Sequence, residues 1–260
     1  MGPEKTGGAV VTRRANRLVT TGCLTTLIAL TVVLGVVVSW LWYRHWHDGN
    51  VNSERRDKAF ALIREQARAT ADDTARALDT SGTTDADALT GVIWQHSEAP
   101  VVTYDASRRE FTATAARSAQ YDEEVMLPGG GPVEVTRCFV FTYTHRPGQA
   151  WTSRVSERDD DVCRASTQIG GRVRLALTRI SSMYAEDLTR AGVQTALDPT
   201  GRGSFDVRNV MRKGDTVTVS VLVSSSEASG AAVDQCYRFT RPVPGDDGQG
   251  SATAVPASSC

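Results

Sequence analysis

The run LVTTGCLTTLIALTVVLGVVVSWLWY, Leu18–Tyr43, constrains this chain more than any other feature. It holds no charged residue. As a helix it would extend about 39 Å, against about 30 Å for the hydrocarbon core of a bilayer. A soluble domain of this size has no place to bury a helix that is apolar all round. The run therefore predicts one transmembrane helix over 18–43. A cleaved signal peptide is the competing reading, but it ends on small residues. This run ends on Trp40, Trp42 and Tyr43, and Trp46 follows. Those aromatics suit the membrane–water interface, so the segment reads as a signal anchor in contact with lipid. Thr31, Gly35 and Ser39 recur every four residues, a spacing of small side chains that lets two such helices approach as a homodimer.

Orientation follows from flanking charge and from cysteine. Arg13, Arg14 and Arg17 precede the run, and only Arg44 stands beside its other end, which favours a cytoplasmic N-terminus. Cys23 falls in the apolar run as a small filler. Cys138, Cys163, Cys236 and Cys260 all lie C-terminal to it, an even number that fits disulfides in an oxidising compartment. Their spacings are too wide for a zinc ribbon. The expected organisation is a cytoplasmic basic tail at 1–17, the span at 18–43, and an extracytoplasmic body in two halves, 44–168 and 169–260. Lys5, Lys58 and Lys213 are the only lysines, and Ala, Thr, Val, Asp, Gly and Arg abound, as in high-GC bacteria such as actinobacteria. The expected location is thus the cell membrane of a bacterial envelope.

The body reads as α+β. Ala59, Leu62, Ile63, Gln66, Ala67 and Thr70 recur at helical spacing in a helix over 52–79, capped by Asn52 or Ser53. It either continues the span or hinges at Asp48-Gly49-Asn50. Strands are expected at 100–104, 110–117 and 133–143, with PGGGP at 128–132 as a loop and 145–162 as a polar loop ending at Cys163. Val173, Leu177, Ile180, Tyr184 and Leu188 predict a second helix closed by Gly192. Strands follow at 204–211, 216–223 and 232–240, the second with alternating Val217, Val219 and Val221.

The halves share short words. Arg137-Cys138-Phe139-Val140-Phe141-Thr142 lies over Gln235-Cys236-Tyr237-Arg238-Phe239-Thr240, and Glu110–Thr114 lies over Asp215–Val219. In each half a second cysteine follows after a similar interval. This self-similarity predicts a tandem duplication of helix and antiparallel strands, with chance likeness of short words as its rival. If each copy staples its own loop, the pairs are Cys138–Cys163 and Cys236–Cys260, each closing about 25 residues for roughly 3 kcal/mol.

Chemistry is sparse. His45 and His47 stand two apart and do not share a helix face; with Trp46 between them they read as interfacial. His96 and His145 have no ligand partner at metal spacing, though either could serve as a base. Asp159-Asp160-Asp161 lacks the alternation of a calcium loop. Gly129-Gly130-Gly131 precedes a strand rather than a helix, so it is no phosphate cradle. No hydrolase or nucleotide motif occurs, no cofactor or metal is implied, and the reading leans away from an enzyme. A net charge of −1 with scattered arginine disfavours nucleic acid. The expected function is a membrane-anchored extracytoplasmic binding or scaffold protein with a protein partner in the envelope. The alternatives are a ligand-sensing ectodomain that acts through a partner and an envelope hydrolase with an unrecognised site.

Overall fold

The computed structural model describes residues 11–124, 131–226, 232–243 and 250–260, with backbone alone for 11–23. Two compact units make up the described chain: one from Met1–Arg56 with Asp122–Val133, the other from Asp57–Tyr121 with Glu134–Cys260.

Helix α1, Val11–Ser81, is unbroken and supplies residues to both units. In the first unit its apolar stretch is unburied: Leu24 is 61% exposed, Leu30 67% and Val36 64%. This is a helix long and apolar enough to cross a membrane. No hinge interrupts it at Asp48–Asn50. Asn52 is no cap either. Its side-chain amide donates to the Glu124 carbonyl at 2.7 Å and accepts from the Glu124 N–H at 2.8 Å. Arg55 adds a bond to the Asp122 carbonyl at 2.8 Å and an ion pair with Glu124. The helix keeps its ladder through Gly49 because nothing there needs to turn, and Asn52 is spent on another segment.

The second unit holds two four-stranded antiparallel sheets with helices, an α+β arrangement. The first half comprises the end of α1, α2 (Ala86–Ser97), β1 (Val101–Asp105), β2 (Glu110–Asp122), β3 (Pro132–Thr144) and β4 (Thr152–Arg158), with sheet order β1-β2-β3-β4. Ile63, Ala67, Ala71, Ala75 and Leu78 line one face of α1 and pack on Phe111, Ala113 and Ala115 of β2 and Phe139, Phe141 and Tyr143 of β3. The alanine stripe lets the sheet approach closely, and the aromatics fill the space.

The second half comprises α3 (Asp160–Ser182), a short 3-10 turn at Ala185–Asp187, α4 (Arg190–Leu197), then β5 (Phe205–Lys213), β6 (Thr216–Ser224), β7 (Asp234–Pro242) and β8 (Thr253–Ala257) in sheet order β5-β6-β7-β8. Ile169, Val173, Ala176 and Ile180 of α3 pack on Val217, Val219, Val221 and Val223, with Tyr237 and Phe239 from β7.

Several expectations need correcting. The helix of the second half starts at Asp160, so the break expected between 168 and 169 falls inside α3. Asp160 and Asp161 form its first turn, where carboxylates suit the helix dipole. The helix stops at Ser182 instead of running to Gly192. Met183 and Tyr184 are extended, and a separate α4 begins after Thr189, whose hydroxyl accepts the Gly192 N–H at 3.1 Å. Gly192 is needed there for room, since a Cβ would lie 2.2 Å from the Asp187 carbonyl oxygen. Strands β4 and β8 and helix α2 were not expected. Most of the PGGGP loop, 128–130, lies outside the described residues.

Cys138 pairs with Cys163 and Cys236 with Cys260. Cys163 lies in α3 rather than in a loop, so the first bridge ties β3 of one sheet to the helix of the other core. The halves also meet through Val101 of β1, which is buried in the core of the second half, and through polar contacts. The Tyr237 hydroxyl donates to the Pro100 carbonyl at 2.5 Å. Buried Gln235 accepts the Val102 N–H at 2.9 Å and donates to the Cys236 and Ala257 carbonyls. Asp87 of α2 accepts from Ser258 and pairs with Arg238. Burial works against the Asp87 charge, but the Ser258 bonds and Arg238 outweigh it and hold its carboxyl below the usual range.

Candidate functional site

A cleft of about 490 Å³ opens in the first half, within the usual size of a small-molecule site. Four separate stretches of chain build it: the end of α1 with the turn after it, the start of α2, the β1–β2 hairpin, and the loop from β3 to β4. Leu78, Leu89 and Phe111 form its buried floor. Tyr104 stacks on Phe111 at 4.4 Å between ring centroids, and Trp151 meets Phe111 at 5.8 Å. His145 stacks on Trp151 at 4.9 Å. The polar rim carries Asp79, Thr83, Thr84 and Arg109.

Local structure explains the placement. Gly82 takes a left-handed φ of 62° just past the end of α1, which turns the chain out of the helix. Asp85 then caps α2 by accepting the Ala88 N–H at 2.8 Å. Across the cleft, the Asp79 carboxylate accepts the Trp151 N–H at 2.8 Å and so fixes the loop that carries the indole. The His145 N–H donates to the Arg109 carbonyl at 3.4 Å, joining that loop to the hairpin. In the hairpin, Asp105 accepts from the Ser107 N–H at 2.9 Å and the Arg108 N–H at 3.3 Å, a side chain doing the work of a backbone turn.

His145 is therefore in the cleft, where the sequence had offered it only as a lone histidine. Its ring makes no hydrogen bond to a carboxylate or hydroxyl among the described residues. His96 sits in the last turn of α2, and His45 and His47 lie in α1, where the His47 ring stacks on Tyr43. The described residues hold no group of three or more side chains placed to ligate a metal. Trp40, Trp42, Tyr43 and Trp46 are exposed along α1, and Arg44 lies over the Trp40 ring at 5.3 Å. Arg13, Arg14 and Arg17 belong to α1, and their side chains lie outside the described residues. The Thr31 hydroxyl bonds the Leu27 carbonyl of its own helix at 2.8 Å.

Two buried polar side chains occupy matching places in the sheets. Tyr143 stands five residues after Cys138 in β3, and Arg241 five after Cys236 in β7. Both are fully buried. Arg241 donates to the Ile180 carbonyl near the end of α3 at 2.8 Å, a cation at the negative pole of a helix. The Tyr143 hydroxyl is buried beside the Thr74 side chain, and burial pushes its pKa up to about 12.

No protein-family model matches this chain, and no curated protein matches it. Among solved structures it is similar to one described as "Ntf2 like protein involved in plasmid conjugation", at 11% identity, over 61% of this chain and 75% of that one. The TM-score is 0.18, a likeness too slight to carry an argument about fold or function.

Proposed function

We propose that this chain is a single-pass protein of a bacterial cell membrane, with its N-terminus in the cytoplasm and its α+β body outside, where it binds a protein partner as part of an envelope assembly. The observation that carries this reading is the apolar stretch of α1, whose side chains from Leu24 to Val38 are exposed. Water would penalise that surface heavily, and lipid would not. Trp40, Trp42, Tyr43 and Trp46 follow at the height of an interfacial belt. Arg13, Arg14 and Arg17 precede it as a cytoplasmic flank. Two cysteine pairs suit an oxidising exterior. Thr31, Gly35 and Ser39 offer a face for self-association in the membrane. Duplication of one helix-and-meander unit is the economical origin of the body, supported by the shared strand order and the matching cysteines of β3 and β7.

Thiol labelling of intact cells tests the topology. Four ectodomain thiols should react with an impermeant maleimide only after reduction. Labelling that requires permeabilised cells would overturn the orientation. Crosslinking in cells followed by affinity capture tests the scaffold reading: a defined envelope complex supports it, and recovery of this chain alone argues against it.

The cleft favours a second reading, a ligand-sensing body that relays through a partner. The hydrolase alternative gains no support, because His145 stacks on Trp151 and is hydrogen-bonded to no acid or nucleophile among the described residues.

A further inference from the structure

We propose that the cleft in the first half binds a small organic anion with a flat, apolar body, and that Arg109 is the residue that recognises its charge. This gives chemical content to the sensing alternative and does not depend on the membrane anchor.

Arg109 closes the β1–β2 turn with φ 51°, in the left-handed region. For a residue with a Cβ that conformation costs about 1–2 kcal/mol, and glycine is the usual occupant of such a turn position. An arginine held there at a cost calls for a use of its side chain. Its neighbour Arg108 pairs with Asp105. The Arg109 side chain makes no ion pair or hydrogen bond among the described residues, yet it lines the cleft.

The other charged and titratable groups of the cleft are Asp79, His145 and Tyr104. Asp79 accepts the Trp151 backbone N–H and so holds the indole loop, while its carboxylate leaves one negative charge on the rim. His145 gives its backbone N–H to the hairpin and its ring to the Trp151 stack. Among the described residues, the cation of the cleft left without a partner is thus Arg109. A guanidinium prefers carboxylate, sulfonate or phosphate oxygens, which it can meet with two parallel bonds. The remaining walls, Tyr104, Phe111, Trp151, Leu78 and Leu89, are apolar and mostly planar, which suits a flat hydrophobic body. A neutral sugar would also stack on an indole, but it would leave the guanidinium unanswered.

The test uses the full chain in lipid nanodiscs, with empty nanodiscs as the blank, and naphthalene-1-sulfonate as probe. Binding is read by saturation-transfer NMR and by titration, beside the neutral analogue 1-naphthalenemethanol and methyl glucoside. Arg109→Gly is the informative variant because glycine fits the turn better, so the fold should be kept and thermal stability unchanged or raised. The expected result is binding of the sulfonate that weakens with salt, falls at least tenfold in Arg109→Gly, and is partly restored in Arg109→Lys. The neutral naphthalene should bind more weakly and equally well to wild type and Arg109→Gly. If Arg109→Gly lowers the melting temperature, Arg109→Asn, uncharged and tolerant of the same φ, replaces it. Equal sulfonate affinity in the uncharged variant, tighter binding of the neutral probe or the glucoside, or no binding at millimolar sulfonate would overturn the proposal.

Discussion

Replacing Cys138 and Cys163 together by alanine frees a loop whose ends are 25 residues apart in sequence. In the chain-entropy model a crosslink of that span removes about 11.7 cal/mol/K from the unfolded state, or about 3.5 kcal/mol at 25 °C. Cys138 is fully buried, and losing its sulfur from a packed site adds about 1 kcal/mol. The double variant should therefore lose about 4.5 kcal/mol. The Cys236–Cys260 loop spans 24 residues, so its entropic share is the same about 3.5 kcal/mol, because the dependence on length is logarithmic. The assay is urea unfolding of the full chain in nanodiscs, followed by circular dichroism at several wavelengths and analysed by linear extrapolation. The two double variants should shift by similar amounts. Only the first should also separate the unfolding of the two cores, because it alone joins β3 to α3. A loss below about 1 kcal/mol in either variant would refute the entropic reasoning. A single unchanged transition without Cys138–Cys163 would refute its role in coupling the cores.

Three further predictions rest on single side chains. Gly192→Ala should destabilise by about 1–3 kcal/mol because its Cβ meets backbone oxygen, whereas Gly171→Ala, with nothing within 4 Å, should raise the melting temperature through about 1 kcal/mol of helix propensity. Gln235→Leu should cost about 3 kcal/mol in chemical denaturation, since it strands the Val102 N–H and the Cys236 and Ala257 carbonyls in a buried junction. Tyr143 should make stability fall as pH rises. Burial pushes its folded pKa up to about 12, above the ordinary tyrosine value of about 10, so the folded state holds the proton longer and loses about 3 kcal/mol relative to the unfolded state as pH climbs from 10 through 12. Tyr143→Phe should remove that alkaline loss and change stability at neutral pH by no more than about 1 kcal/mol in a urea titration, since the buried hydroxyl has at most the Thr74 side chain to bond.

Strands with one buried face were readable because alternation has period two: Val217, Val219, Val221 and Val223 face one core, as do Phe139 and Phe141. The edge strands were not. Strand β4, TSRVSER, packs only Val155 against the core and is otherwise polar, so nothing in its pattern separates it from a loop. Helix α2 did carry a signal, Asp85 as cap with Leu89 and Ile93 four apart, but it is short and flanked by threonines. The cleft was illegible for a geometric reason. Its lining comes from residues 78–84, 89, 104–111 and 145–151, and no spacing rule joins segments brought together only by packing. Arg109 in particular looks like one arginine among many until the backbone shows its positive φ.

The match between the halves marks the boundary between the two kinds of information. Aligning Cys138 with Cys236 puts Phe139 over Tyr237 and Phe141 over Phe239, all buried. Aligning Glu110–Thr114 with Asp215–Val219 puts buried Phe111 over half-buried Thr216 and sets the strands one residue out of step. Burial instead places Phe111 over Val217 and Ala113 over Val219. A one-residue slip exchanges every inward side chain for an outward one. By itself the sequence determined the long uncharged apolar helix, the α+β class and the strands that alternate, because those depend on local composition and period. Tertiary structure alone decided where α3 begins, that Cys163 rides on it, which face each strand presents, and that four distant segments close around Arg109, which has no ion pair among the described residues. Those outcomes depend on which surfaces meet, and only packing sets that.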